Sequence, residues 1–104
     1  MPPLRLDQWA VRSAEPVGAR TREGFALLST EQQRYFVLND SAAAVWERLA
    51  QPIELRALAE MIAAAFALAP GDAGQAVLDV VAQFREQNIV SVWDAAPAAG
   101  EGQP

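Results

Sequence analysis

Residues 35–47 have the sequence YFVLNDSAAAVWE, which is typical of a strand that turns directly into a helix. The first four residues are bulky and apolar, as in a pleated and half-buried strand. Asn39, Asp40 and Ser41 follow, and side chains of these types cap helices by accepting hydrogen bonds from the free N–H groups of the first turn. A helix carrying Trp46 in its apolar stripe is therefore predicted to follow the strand without a loop.

The composition limits the chemistry that the chain can perform. It has 104 residues, of which 52% are hydrophobic, so one domain with a single modest core is expected. Cysteine and histidine are both absent. Their absence excludes disulfides, thiol nucleophiles and thiolate metal sites, and it removes the usual general base near neutral pH.

The charge balance disfavours nucleic acid as a partner. The formal net charge is −5, and the eight basic residues are all arginines. Non-specific affinity for DNA comes mostly from basic side chains that neutralise phosphates. The N-terminus lacks the pattern of a signal peptide, and no apolar run approaches the roughly 18 residues of a membrane span. A cytoplasmic protein without a membrane partner is expected.

Catalytic groups are not gathered into any recognisable motif. The acidic residues fall one or two to each predicted element, so no group of convergent oxygens is expected to hold a metal ion. The serines have no histidine to activate them, and no glycine-rich phosphate loop is present. We therefore expect neither enzymatic activity nor a cofactor.

The predicted elements give an α+β fold of the winged helix-turn-helix type, with a three-stranded antiparallel sheet followed by three helices and a short C-terminal extended wing. The second and third strands are predicted to form a hairpin after a polar connection at residues 15–23. Asp72 is predicted to cap the third helix after a break at Pro70 and Gly71. The predicted strands are residues 8–13, 25–29 and 33–38, the helices 41–50, 54–67 and 72–88, and the wing 89–92.

The domain is predicted to span residues 8–93, after a flexible lead-in at 1–7 and before a disordered, Ala/Pro/Gly-rich tail at 94–104. Most aromatic side chains are expected to fill the core, among them Phe25, Trp46, Phe66 and Phe84. On the third strand, alternation places Tyr35 on one face and Phe36 on the other. One apolar face of this strand is therefore expected to contact a group outside the core of the sheet.

A peptide-binding groove is predicted beside the third strand, because an apolar and weakly guarded strand edge is a template for another strand. The third helix has an apolar arc wider than one core needs, and it is predicted to wall the groove. Leu78 has an alternative position, packed against the wing or the first strand. The predicted binding residues are Gln33, Arg34, Tyr35, Phe36, Val37 and Leu38 on the strand, with Leu78, Val81, Ala82 and Arg85 on the helix.

The chain resembles the PqqD-like proteins over about residues 5–93. Asn88 stands where a Gly often precedes the final apolar pair, and Asn tolerates the same left-handed backbone. Phe84 replaces a Leu. The similar pattern is Leu38-Asn39, Ala42 and Ala43, Val45-Trp46, Leu49 and Pro52, then Leu58 and Ile62, and finally Val77, Val80-Val81 and Ile89-Val90.

This resemblance implies a non-catalytic module that binds the leader segment of a ribosomally synthesised and modified precursor peptide. The leader would dock as an extra strand against residues 34–38 and pack on the exposed wall of the third helix. The module would then deliver the precursor to a leader peptidase or another modifying enzyme. The chain looks most like the lasso-peptide members of the family. Members that assist a radical SAM enzyme in making pyrroloquinoline quinone are the alternative.

Two other functions fit the predicted topology. A winged-helix transcription regulator would use the third helix to read DNA, but three acidic residues against the single Arg85 are unfavourable in a groove lined by phosphates. A structural domain that dimerises through the same strand edge is the other alternative.

Overall fold

The computed structural model describes residues 3–94, so most of the predicted disordered tail lies outside the described residues. Within this range six strands and three helices form an α+β domain. Their bounds are β1 Trp9–Arg12, β2 Val17–Thr21, β3 Gly24–Ser29, β4 Arg34–Leu38, α1 Asp40–Arg48, β5 Ile53–Glu54, α2 Leu55–Phe66, α3 Pro70–Glu86 and β6 Val90–Trp93.

The three-stranded antiparallel sheet is a meander of β2, β3 and β4. The predicted hairpin of β3 and β4 is confirmed, with Ser29 opposite Arg34 and Phe25 opposite Leu38. The connection predicted at residues 15–23 is wrong, because it contains β2. This strand has every residue exposed, so it lacks the alternation that marks a half-buried strand.

A second small sheet has the strand order β5, β1, β6 and joins the two ends of the domain. The first predicted strand is therefore correct as a strand but lies outside the β2–β4 meander. β6 covers most of the predicted wing and pairs antiparallel with β1, with Arg12 opposite Val90. In the predicted lead-in, Leu4 is buried and the Leu6 carbonyl accepts a hydrogen bond from the Arg56 N–H at 2.9 Å.

The helix boundaries follow local backbone chemistry. Asn39 caps α1, since its Oδ1 accepts a hydrogen bond from the Ala42 N–H at 2.9 Å, and this confirms the predicted capping. Ala67 ends α2 in the left-handed conformation. α3 begins at Pro70, whose fixed φ suits the first helical position, so the predicted cap at Asp72 is wrong.

The chain bends by 116° between α2 and α3, within the range of helix-turn-helix pairs. Among the described residues no single helix is long and apolar enough to cross a membrane. Only α2 and α3 taken together, across this bend, reach the required length and hydropathy.

The core is built around Trp46, which is 1% exposed. Phe25 and Phe84 are buried with it, as predicted. Phe66 was expected in the core but is 37% exposed. It is the last residue of α2, and the buried stripe of this helix ends one turn earlier, at Ile62.

Gly18 allows β2 to pack against β3, and this generates a stability prediction. A Cβ at Gly18 would lie 2.5 Å from two ring carbons of the buried Phe25, so the ring would have to move. We expect Gly18→Ala to lower the free energy of unfolding by about 1–3 kcal/mol. Gly71→Ala is the control, because its Cβ meets nothing within 4 Å. Equal urea midpoints for Gly18→Ala and the wild type would contradict this packing.

Candidate functional site

The edge of β4 that faces away from β3 pairs with no strand in the described part of the chain. Along β4 the side chains alternate as predicted. Tyr35 and Val37 are 68% and 54% exposed, Phe36 is half-buried, and Leu38 is buried. The unpaired backbone N–H and C=O groups of this edge can accept another strand.

A groove of about 320 Å³ runs between β4 and the C-terminal part of α3. Its apolar lining comes from β4, from Phe84 and from Ile89, while α3 adds polar side chains. A groove of this composition suits the apolar side chains of an extended segment, with polar groups left for its backbone. Its lining residues are Phe36, Val37, Leu38, Gln83, Phe84, Glu86, Gln87 and Ile89.

The turn before β4 is tied to the end of α3. Gln32 Nε2 donates a hydrogen bond to the Gln87 carbonyl at 2.9 Å, and the Gln32 N–H donates to Ser29 Oγ at 3.2 Å. Gln33 has a φ of 54°, in the left-handed region, so the chain turns sharply before it enters β4. These bonds fix one end of β4 beside α3 and so define one end of the groove.

The Glu15 carboxylate holds the same turn from the other side. It accepts hydrogen bonds from Ser29 Oγ at 2.9 Å, from the Thr30 N–H at 2.7 Å, from Thr30 Oγ1 at 2.9 Å and from the Glu31 N–H at 3.3 Å. Burial raises the pKa of Glu15, but these four hydrogen bonds together hold the pKa below its ordinary value. The carboxylate is therefore a fixed anion that orders the turn.

The outer face of the meander sheet is apolar and exposed. Val17 lies opposite Leu28, and Leu28 lies opposite Tyr35, so the three side chains form one row across the sheet. Each of them is more than half exposed, and so is Val37 beside them. Exposed apolar patches of this kind mark surfaces that contact other molecules.

The structure brings only part of the predicted site together. Residues 33–38 lie at the unpaired edge or in the turn before it, but Val81 is fully buried in the core. Leu78, Ala82 and Arg85 line a different hollow of about 400 Å³, against Pro3 and Leu4. None of these four helix residues lines the groove.

Helix geometry explains why the predicted wall of α3 faces away from the groove. Leu78 and Gln83 are five residues apart, about 1.4 turns at ~3.6 residues per turn, so they point to nearly opposite sides of α3. The apolar width of the helix marks the side where Pro3 and Leu4 of the lead-in lie. The side that faces β4 carries Gln83 and Glu86, with Gln87 directly after the helix, and the prediction missed these three residues. Their polar character resembled an ordinary solvated face.

A larger hollow of about 560 Å³ lies against α2 and does not adjoin the edge of β4. We place the functional site at the smaller groove, because it combines an apolar floor with an unpaired backbone edge. The lining of the larger hollow is Leu6, Arg56, Ala59, Glu60, Ala63, Ala64, Leu68 and Pro70.

Ionisable groups are sparse around the groove. Within residues 3–94 no three carboxylates gather into a group that could hold a metal ion. On α3, Asp72, Asp79 and Glu86 outnumber the single Arg85, which is a poor charge balance for contacts with phosphates. The arrangement provides a binding surface of backbone groups and apolar side chains.

Comparison with protein families finds a match to the model described as coenzyme PQQ synthesis protein D (PqqD), over residues 24–90. The match covers β3 and β4, all three helices and the start of β6 but not β2, and it includes every residue that lines the groove. Among curated protein sequences, none matches this one significantly.

Two solved structures share the fold. One is lasso peptide synthetase B1 complexed with the leader peptide, with a TM-score of 0.68 and 23% identity over 79% of this chain and 96% of that one. The other is the PqqD truncation of Methylobacterium extorquens PqqCD, a stand-alone recognition element for ribosomally synthesised and modified peptides. Its TM-score is 0.67 and its identity 18%, over 80% of this chain and 88% of that one.

The bonds to Glu15 predict a pH-dependent contribution to stability. Because the pKa of Glu15 is lowered by folding, its contribution is present above the unfolded pKa and is lost as the pH falls through the folded pKa. We expect Glu15→Gln to be less stable than the wild type at neutral pH. The two urea midpoints should converge in acid. A gap that stays constant across this range would contradict the role of the carboxylate.

Proposed function

Because the chain belongs to the PqqD family, we propose that it recognises a ribosomally synthesised and modified precursor peptide by binding its leader segment. The observation that carries this proposal is the unpaired edge of β4 beside an apolar groove. A leader in extended conformation would add to the meander as a fourth strand. Its backbone hydrogen bonds would supply affinity, and its alternate side chains would supply specificity.

The groove suits one face of such a strand. Side chains that point inward would pack on Phe36, Phe84 and Ile89, where apolar burial favours binding. Side chains that point outward would lie beside Tyr35 and Val37, which are exposed on β4. The added strand would therefore have one side chain face in the groove and the other on the outer face of the sheet.

The partner that acts on the bound precursor is proposed to be a separate enzyme, and the domain itself is proposed to be non-catalytic and to need no cofactor. Binding the leader would raise the effective concentration of the precursor near that enzyme. Similarity to the leader-bound lasso peptide synthetase B1 supports a leader peptidase of a lasso pathway.

An enzyme of pyrroloquinoline quinone synthesis is the second candidate partner, and the description of the matched family model supports it. A cytoplasmic site of action is part of the proposal, since the precursor is made on ribosomes.

The direct test is a titration of the isotopically labelled domain with synthetic leader peptides of lasso precursors and of pyrroloquinoline quinone precursors. We expect amide shifts concentrated on residues 33–38 and 83–89. They should persist at high salt, because backbone pairing and apolar contacts release few counterions. Shifts confined to other surfaces, or no shift with any leader, would contradict the proposal. Binding of duplex DNA with steep salt dependence would favour a transcription regulator instead.

A pair of matched substitutions separates the edge strand β4 from β3, which lies one strand further from the proposed leader. Val37 and Leu28 are exposed to a similar extent, at 54% and 51%, but only Val37 lines the groove. We expect Val37→Glu to weaken leader binding by about tenfold or more, since it places a charge beside the added strand, in a groove that Glu86 already lines. Leu28→Glu is the control and should bind as the wild type does. Equal affinities in calorimetry would place the leader elsewhere.

A further inference from the structure

A strand added to β4 has two hydrogen-bonding edges, and only one of them can pair with β4. The inference below rests on the proposed function. In that arrangement the second edge of the leader would face α3 across the groove. Backbone groups that lose water without gaining a partner are costly, so this edge also needs donors and acceptors. The described residues provide no strand on that side, so side chains at the C-terminal end of α3 are the protein groups placed to supply them.

Two amide side chains stand at the required place with the required spacing. Both line the groove: Gln83 lies in the last turn of α3, and Gln87 caps the C-terminus of that helix four residues later, about 6 Å further along its axis. On one edge of an extended strand, the N–H and C=O groups recur every two residues, about 6.6 Å. An amide carries both a donor and an acceptor, so each glutamine can pair with the N–H and the C=O of one peptide residue.

Gln87 has an acceptor that the folded chain leaves unused. Its Oε1 is buried and accepts no hydrogen bond from the described residues. Its backbone carbonyl, in contrast, is engaged by Gln32 Nε2 at 2.9 Å. An unpaired buried acceptor is unfavourable, and a turn of this side chain toward the groove that it lines would let a peptide N–H satisfy it.

We infer that Gln83 and Gln87 hydrogen-bond the far backbone edge of the bound leader, so that the groove reads the peptide backbone along both edges. Backbone groups are the same in every sequence except at proline. The groove would therefore accept leaders of varied sequence, provided that they are extended and place apolar side chains on its floor.

Gln83→Leu and Gln87→Leu test this inference, because leucine keeps much of the apolar volume and removes the amide. The bond from Gln32 is retained in Gln87→Leu, since the backbone carbonyl accepts it. Gln75→Leu is the matched control, because Gln75 lies on the lead-in side of α3, where its Nε2 bonds Asp79 Oδ1 at 2.8 Å. With the best-binding synthetic lasso leader, we expect each groove variant to bind about 3–10-fold more weakly. The control should bind as the wild type does.

Backbone N-methylation of that leader, one residue at a time, distinguishes a lost hydrogen bond from a general loss of packing between the leader and the groove. Successive N–H groups point to opposite edges of a strand. Methylation on the β4 edge should weaken binding to every variant. Methylation of the N–H that meets Gln87 should weaken binding to the wild type. Gln87→Leu, in contrast, should bind the methylated and the unmethylated leader equally well.

The outcomes distinguish this inference from the proposed function. Wild-type affinity in both groove variants, with amide shifts still on residues 33–38, would overturn the role of the glutamines and leave leader binding intact. The role of the glutamines would also be overturned if the loss of affinity caused by Gln87→Leu added to the loss caused by every N-methyl group. Failure of all leaders to bind the folded wild type would overturn both.

Discussion

The packing of Trp46 on Phe84 sets the distance between the two walls of the groove. Their ring centroids lie 5.4 Å apart in an edge-to-face arrangement, with an interplanar angle of 81°. The Arg12 guanidinium lies 5.2 Å from the centroid of the Trp46 ring, and its Nη1 donates to the Trp46 carbonyl. α1 follows β4 with only the capping residue Asn39 between them, so Trp46 positions β4 while Phe84 positions α3.

The two edge strands of the meander sheet differ in how well they are protected against pairing with another strand. The edge at β2 is guarded by Arg20, which forms an ion pair with Asp40 and lies over the Phe25 ring. On β4 the only charged residue is Arg34, whose guanidinium lies over the Phe36 ring. An apolar strand edge with so little protection promotes association, which in a stable protein calls for a dedicated partner. The proposed leader strand is such a partner, and the Glu15 and Gln32 contacts keep the edge in place to receive it.

The sequence predicts correctly those helices and strands whose ends and faces are determined by neighbouring residues. Residues 35–47 were interpreted correctly, because alternation marks the strand and capping marks the helix start. β2 was missed, since its residues are exposed and its pairing depends on β3. The apolar width of α3 predicts a groove wall at Leu78, Val81, Ala82 and Arg85, none of which lines the groove. Pro3 and Leu4, which are distant in sequence, line a hollow on that side, and no local pattern in the sequence indicates that Gln87 lines the groove beside β4.

The most direct test of strand addition is an isotope-filtered NOE measurement on the labelled domain bound to an unlabelled leader peptide. Strand addition predicts regular interstrand contacts between the peptide backbone and the backbone of residues 34–38, together with contacts from peptide side chains to Phe84 and Ile89. Peptide contacts to the hollow against α2, or contacts to side chains alone without backbone pairing along β4, would contradict strand addition.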